Sequence, residues 1–156
     1  MYNYNKETDD VLDKNDPNYT NIDYYWYELN RSVPFIIWEK DGNLSKKIDT
    51  AMGMYDAMPT LANMLGVKPK YNLGNDIMNL TDNVVVFPNG NWLTNNIYYN
   101  SQKDQYKILN TDYIVDNDEI EKNNEYATER LNISNDIIKY DLIKTEKDKL
   151  KKVEGE

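Results

Sequence analysis

The stretch FIIWEKDGNLSKKIDTAMGMYDAMPTLANMLG, Phe35 to Gly66, decides how this chain is read. It begins inside a compact apolar run, Val33 to Trp38, rich in β-branched and aromatic residues, with Pro34 at a position that suits the start of a strand. An uninterrupted run of this kind is typical of a strand covered on both faces, as in a largely parallel sheet, and such a strand needs neighbours. The stretch closes on a helix with punctuation at both ends. Asp56 is placed as its N-cap, Pro59 lies in the first turn where its missing N–H does no harm, and Gly66 stands at the C′ position. Met58, Leu61, Ala62 and Leu65 recur at i, i+3, i+4 and i+7, so one helix face is apolar and is expected to pack on the sheet.

Working outward, residues 1–22 are polar and acidic, and NDPNYTN carries turn chemistry, so this part reads as loop. YYWYELN reads as a short amphipathic helix. VKPKYNLGNDIMN reads as a loop with a Gly-Asn turn. NVVVF, WLTNNIYYNS and QYKILN are expected to form three strands of a small antiparallel meander, the first two joined by the Asn-Gly turn of PNGNW. From Asp116 the pattern is helical, with Ile120, Ala127, Leu131, Ile138 and Leu142 recurring at spacings of seven and four. Residues 23–145 therefore read as one structural part, and residues 146–156 as a charged tail expected to fray. The fold class implied is α/β, or α+β: a sheet strand, a covering helix, a small meander and a terminal helix.

The chain of 156 residues is about one domain long, and its net charge of −9 argues against nucleic acid or an anionic membrane as a partner. No Cys is present, which removes disulfides and thiolate chemistry; no His is present, which removes the commonest general base and transition-metal ligand. The start, MYNYNKETDD, has neither a basic cluster nor an apolar run, and no stretch approaches the length of a transmembrane helix, so neither a targeting signal nor direct membrane contact is expected. The abundance of Asn, Lys, Ile and Tyr follows the drift of an AT-rich genome, which lowers the weight of any single Tyr.

No phosphate-binding glycine loop, nucleophile elbow, paired-His motif or calcium loop is present. Carboxylates cluster at Asp9-Asp10 and at Asp116, Asp118, Glu119 and Glu121, where solvated loops and a helix N-terminus account for them. Asp49 and Asp56 flank TAMGMY and are candidates to face one cleft, against the plainer reading of Asp56 as a helix cap. Trp26, Trp38 and Trp92, with Phe87 and the Tyr pairs, suggest either a carbohydrate-stacking surface or ordinary core and edge packing.

The order of segments carries a resemblance. LNRSVPFIIWEKDG, DTAMGMYDAMPTLANMLGV, YNLGNDIMN and VVFPNGNWLTNNIYY, followed by LNISNDIIKYDLI, are similar to the carboxy-terminal portion of sulfatase-like enzymes of the lipoteichoic acid synthase type, within the alkaline phosphatase superfamily. The matching positions are Asp56, Pro59, Thr60 and Leu61 of D-x-x-P-T-L with Gly66 after it, Gly74 and Asp76 of a G-x-D loop, and Phe87, Asn89 and Gly90 of an F-x-N-G turn. The resemblance spans residues 24–145. It implies a parent enzyme on the outer face of a membrane that transfers phosphoglycerol, or hydrolyses a sulfate or phosphate ester, through a Thr bound to a divalent metal, commonly manganese. The family's metal ligands and nucleophile precede the VPFIIW strand. The resemblance therefore assigns no catalytic or metal residue and no cofactor to this chain, and Thr60 matches the helix Thr rather than the nucleophile. It makes the amino-terminal remainder of the same domain the partner, and the chain alone inactive. The rivals are a non-catalytic module binding a cell-surface polymer, an arylsulfatase or phosphodiesterase fragment, and a truncated product without function, which would leave bare strand edges.

Overall fold

The computed structural model describes residues 4–5, 10–11, 15, 25, 28, 31–42 and 45–154. The chain forms two compact units, Met1–Leu44 and Ser45–Glu156. In the first, strands β1 (Tyr4–Asn5) and β2 (Asp10–Val11) pair antiparallel where a loop is expected. Tyr25 and Glu28 are helical, at the positions of the expected amphipathic helix, whose other residues lie outside the described ones. The Arg31 guanidinium bonds the Glu28 carboxylate at 3.4 Å.

The expected strand at Phe35 to Trp38 is not formed. Residues 32–39 are neither helix nor strand, and Val33, Ile36 and Trp38 are exposed, Trp38 by 81%. The physical reason lies in the run itself. A strand apolar on both faces is stable only between two neighbours and under cover on each side, and no strand among the described residues pairs with it.

In the second unit, helix α1 (Ala57–Met64) follows a 3-10 turn at Met54–Asp56. Its end is as expected: Gly66 sits at φ +68°, its N–H bonds Asn63 C=O, and Val67 N–H bonds Ala62 C=O, the paired bonds of a Schellman motif. Its orientation is not as expected. Pro59 and Thr60 are the buried residues of the helix, whereas Met58, Leu61 and Leu65 are exposed, so the apolar stripe faces outward.

The mixed architecture is present, with the strands in an antiparallel sheet. Strands β3 (Val85–Val86), β4 (Trp92–Leu93), β5 (Ile97–Asn100) and β6 (Gln105–Ile108) lie in sequence order, each antiparallel to the next. WLTNNIYYNS is thus two strands rather than one. Thr94 makes the break: its hydroxyl oxygen accepts the N–H groups of Asn96 and Ile97 at 3.2 and 3.1 Å, and its N–H bonds Ile97 C=O at 2.9 Å. The PNGNW turn forms as expected, with Gly90 at φ +85° and its N–H on Phe87 C=O at 2.9 Å.

Helix α2 (Asn117–Lys139) is capped by Asp116, whose carboxylate accepts from Asp118 N–H at 3.0 Å. It lays Ala127 against Trp92, Ile97 and Tyr99, with Val84, Val86, Tyr113, Val115 and Ile120 around them; this is the core. Trp92 and Tyr99 are cross-strand partners with stacked rings 5.2 Å apart, and Trp92 Nε1 donates to Asn124 of α2 at 2.8 Å. Asp141, at φ +46°, ends the run, and α3 (Leu142–Glu154) follows. Residues 146–154 of the expected charged tail are helical. Its Leu, Lys and Glu residues are good helix formers, and Lys70 bonds Glu146 at 3.3 Å. Among the described residues no helix is long and apolar enough to cross a membrane.

Replacing Trp92 by Ala removes the largest buried side chain among the described residues and takes the indole donor from the Asn124 side-chain oxygen. Urea unfolding followed by far-ultraviolet dichroism should show a loss of about 3–5 kcal/mol, with Tyr106→Ala at the exposed edge nearly neutral.

Candidate functional site

The best-built polar cluster centres on Asp56, whose residue is fully buried. The 3-10 turn places Asp56 three residues after Gly53, so its carboxylate reaches back to Gly53 N–H at 2.9 Å while Asp56 N–H bonds Gly53 C=O at 3.0 Å. The same carboxylate accepts Asn75 N–H at 2.7 Å and the Asn83 amide at 2.9 Å. The sequence places Asp56 as the side-chain cap of helix α1. It occupies the N-cap position, yet its carboxylate caps the preceding turn and ties in two later loops instead.

Around this carboxylate the partners also bind one another. Asn83, buried, accepts from the Asn75 amide at 2.8 Å and donates to Ala51 C=O at 3.1 Å. Thr60 donates its hydroxyl to Asp56 C=O at 2.7 Å and accepts Ile77 N–H at 3.1 Å. Gly74 permits the approach: a Cβ there would lie 2.2 Å from Tyr55 O, so only glycine fits. Asp76 caps the short turn Ile77–Asn79 by accepting Met78 N–H at 3.1 Å, and its other oxygen takes the amides of Asn63 and Asn79 at 2.7 and 2.6 Å. From α2, the Arg130 guanidinium lies over the Tyr126 ring and donates to Leu73 C=O at 2.7 Å. Asn75, Asp82, Asn83, Tyr126 and Arg130, with Leu80 and Val84, line a cavity of about 300 Å³ beside the cluster. A second, wide groove of about 690 Å³ runs along α2 between Asn117 and Asp136.

The chemistry open to this arrangement is narrow. Both oxygens of Asp56 are engaged by N–H donors and Thr60 is engaged as donor and acceptor, so neither is free to take a proton from a substrate or to attack one. A divalent metal does not fit here either: the carboxylates of Asp56 and Asp76 are already filled by amide and backbone donors. Among the described residues no group of three or more His, Cys, Asp or Glu side chains could hold a metal ion. The cluster binds loop to loop.

The structure brings together Asp56, Pro59, Thr60, Gly74 and Asp76. Asn89 and Gly90 form the hairpin turn between β3 and β4, and Leu61 is on the outward face of α1. Asp49 does not join Asp56, since it is exposed and bonded to Lys47 at 2.6 Å. Trp92 is buried core. Trp38 is exposed rather than packed, and Trp26 and Asp9 lie outside the described residues. Glu119 accepts the Tyr113 hydroxyl, and Asp116 is the α2 cap. The sequence reading missed Asn75 and Asn83, whose amides look like compositional background; the available signal was Asn75 wedged between Gly74 and Asp76. It also missed Arg130, which reaches Leu73 across 57 residues of sequence.

No family model, curated protein or solved structure matches this chain.

Tyr55 reports on the cluster. Its hydroxyl oxygen accepts Val86 N–H at 2.7 Å, joining the Asp56 turn to the edge of the sheet. Burial pushes this phenol up from 10.0 to about 12; the Val86 bond opposes the rise and the nearby Asp56 charge adds to it. The folded value lies above the unfolded one. The contribution of this group to stability is thus complete below pH 10 and is lost as the pH rises toward 12. Phenolate absorbance should show a late-titrating step that Tyr55→Phe reduces. Asp56→Ala strands three N–H donors in a buried site and should cost roughly 3 kcal/mol or more in urea unfolding; Asp49→Ala, on the surface, should be near neutral.

Proposed function

We propose that this chain is the carboxy-terminal part of a sulfatase-like domain, nearest to the lipoteichoic acid synthase type, and that it supports a catalytic site lying elsewhere in its parent. The parent transfers phosphoglycerol, through a Thr at a divalent metal such as manganese, on the outer face of a membrane. The chain by itself is a structural part without turnover. One observation supports the reading: two of the segments that resemble the family meet, where Asp56 and Thr60 of D-x-x-P-T-L accept the backbone N–H groups of Asn75 and Ile77 in and just after the G-x-D loop. In this reading the shared residues of these segments hold loops in register, which is how parts of a domain support a site without touching its substrate.

Two surfaces agree with it. The exposed stripe of Met58, Leu61 and Leu65 on α1 and the exposed run at residues 33–38 are apolar enough to need cover, and the remainder of the domain is the proposed cover.

The purified chain, assayed with added manganese on a phosphodiester and on an aryl sulfate, should show no turnover above buffer. Manganese-dependent turnover that persists through repurification and is abolished by a substitution within this chain would overturn the proposal.

A further inference from the structure

Asn89 and Gly90 are exposed or half-exposed residues at the tip of the β3–β4 hairpin. Three contacts there do more than hold a turn. Asn91 N–H donates to the side-chain oxygen of Asn89 at 3.1 Å. The Ser101 hydroxyl lies 3.0 Å from the backbone oxygen of Asn89 and 3.2 Å from the side-chain oxygen of Asn91. Gly90, at φ +85°, has no Cβ to screen its nitrogen.

We propose that Asn89 is a self-modification site, at which the folded hairpin promotes conversion of Asn89 to aspartate and isoaspartate. Solvent hydroxide removes the Gly90 amide proton. The nitrogen attacks Cγ of Asn89, the new N–Cγ bond forms, the Cγ–Nδ2 bond breaks, and ammonia leaves after taking a proton from water. One water then opens the resulting five-membered imide at either carbonyl, giving aspartate or isoaspartate and one added negative charge. Water is the only co-reactant.

Each contact has a role in these steps. The Asn91 N–H points at the oxygen that becomes negative when the nitrogen adds to Cγ, as a donor in an oxyanion site does. The Ser101 hydroxyl polarises the Asn89 carbonyl, which makes the adjoining Gly90 amide more acidic. Against the reaction stands the bond from Gly90 N–H to Phe87 C=O at 2.9 Å. That is one neutral hydrogen bond, whereas the Asn91 N–H, and the Ser101 hydroxyl when its single proton is on Asn89 rather than Asn91, act where negative charge develops, and charge-assisted bonds are about twice as strong. The balance favours reaction in the fold.

The product alters the hairpin. Isoaspartate adds a methylene to the main chain within the turn that pairs Phe87 N–H with Asn91 C=O at 2.8 Å. Asn91 in turn accepts Ser101 N–H at 3.0 Å and donates to the Tyr98 hydroxyl at 2.7 Å, so the β3–β4 and β5–β6 turns both loosen.

The full chain, incubated at mildly alkaline pH both folded and unfolded in urea, is read by peptide mass mapping with isoaspartate detection. We expect Asn89 to convert in the folded chain at least as fast as in urea, and Ser101→Ala to slow the folded reaction about fivefold, the effect of one lost hydrogen bond. Slower conversion in the folded chain than in urea, or an unchanged rate in a folded Ser101→Ala variant, would overturn it. Should Ser101→Ala fail to fold by dichroism, the folded-against-urea comparison of the unaltered chain decides alone.

Discussion

A single buried carboxylate organises this part of the chain. Asp56 takes hydrogen bonds from Gly53, Asn75 and Asn83, three points spread over thirty residues of sequence that share no helix or strand. A charge removed from water is tolerated only where donors replace its hydration, and here the donors are the loops themselves. Each loop is consequently held by the need to satisfy Asp56 as much as by apolar contact. Thr60 extends the same arrangement by one turn of helix, linking Asp56 C=O to Ile77 N–H. The absence of a side chain at Gly74 lets the two backbones meet.

The second support is apolar and lies in the sheet. Trp92, Ile97, Tyr99 and Ala127 form a small core between β4, β5 and helix α2. Among the bonds that connect it to the polar cluster are Val86 N–H to the Tyr55 hydroxyl, the Asn75 amide to the Tyr126 hydroxyl of α2, and Arg130 of α2 to Leu73 C=O. A core this small gains only modest stability from burial. Polar ties therefore carry an unusual share of the order, and the buried asparagines at positions 83, 91 and 100 fit that picture.

Local punctuation was legible in the sequence because its physics is local. Gly66 ends α1, Asn89-Gly90 turns the hairpin and Asp116 caps α2, each at the place its residue type favours. Readings that depended on distant partners fared otherwise. The run at residues 33–38 has the composition of a covered strand, yet a strand is a property of a pair, and no described strand pairs with it. The stripe Met58–Leu61–Leu65 has the right period but faces outward, because the donors waiting at residues 75–77 pull the Asp56–Thr60 side inward. Periodicity gives the width of an apolar face; it does not choose between an inner and an outer side when a buried charge competes for the inner one. Thr94 split one expected strand into two by a side-chain bond to its own backbone, and helix propensity in residues 142–154 prevailed over the look of a solvated tail. Of the site, Asp56 and Thr60 were legible as positions but not in role, and Asn75 and Asn83 were hidden in a chain rich in Asn.

That Asp56 holds the three loops together is tested most directly by amide hydrogen exchange on the unaltered chain and on Asp56→Asn, which keeps shape and removes charge. Gly53 and Asn75 should lose protection in the variant, together with Ile77, while Ile97, Tyr98 and Tyr99 in the sheet keep theirs. Equal protection of Gly53 and Asn75 in the two proteins would contradict it.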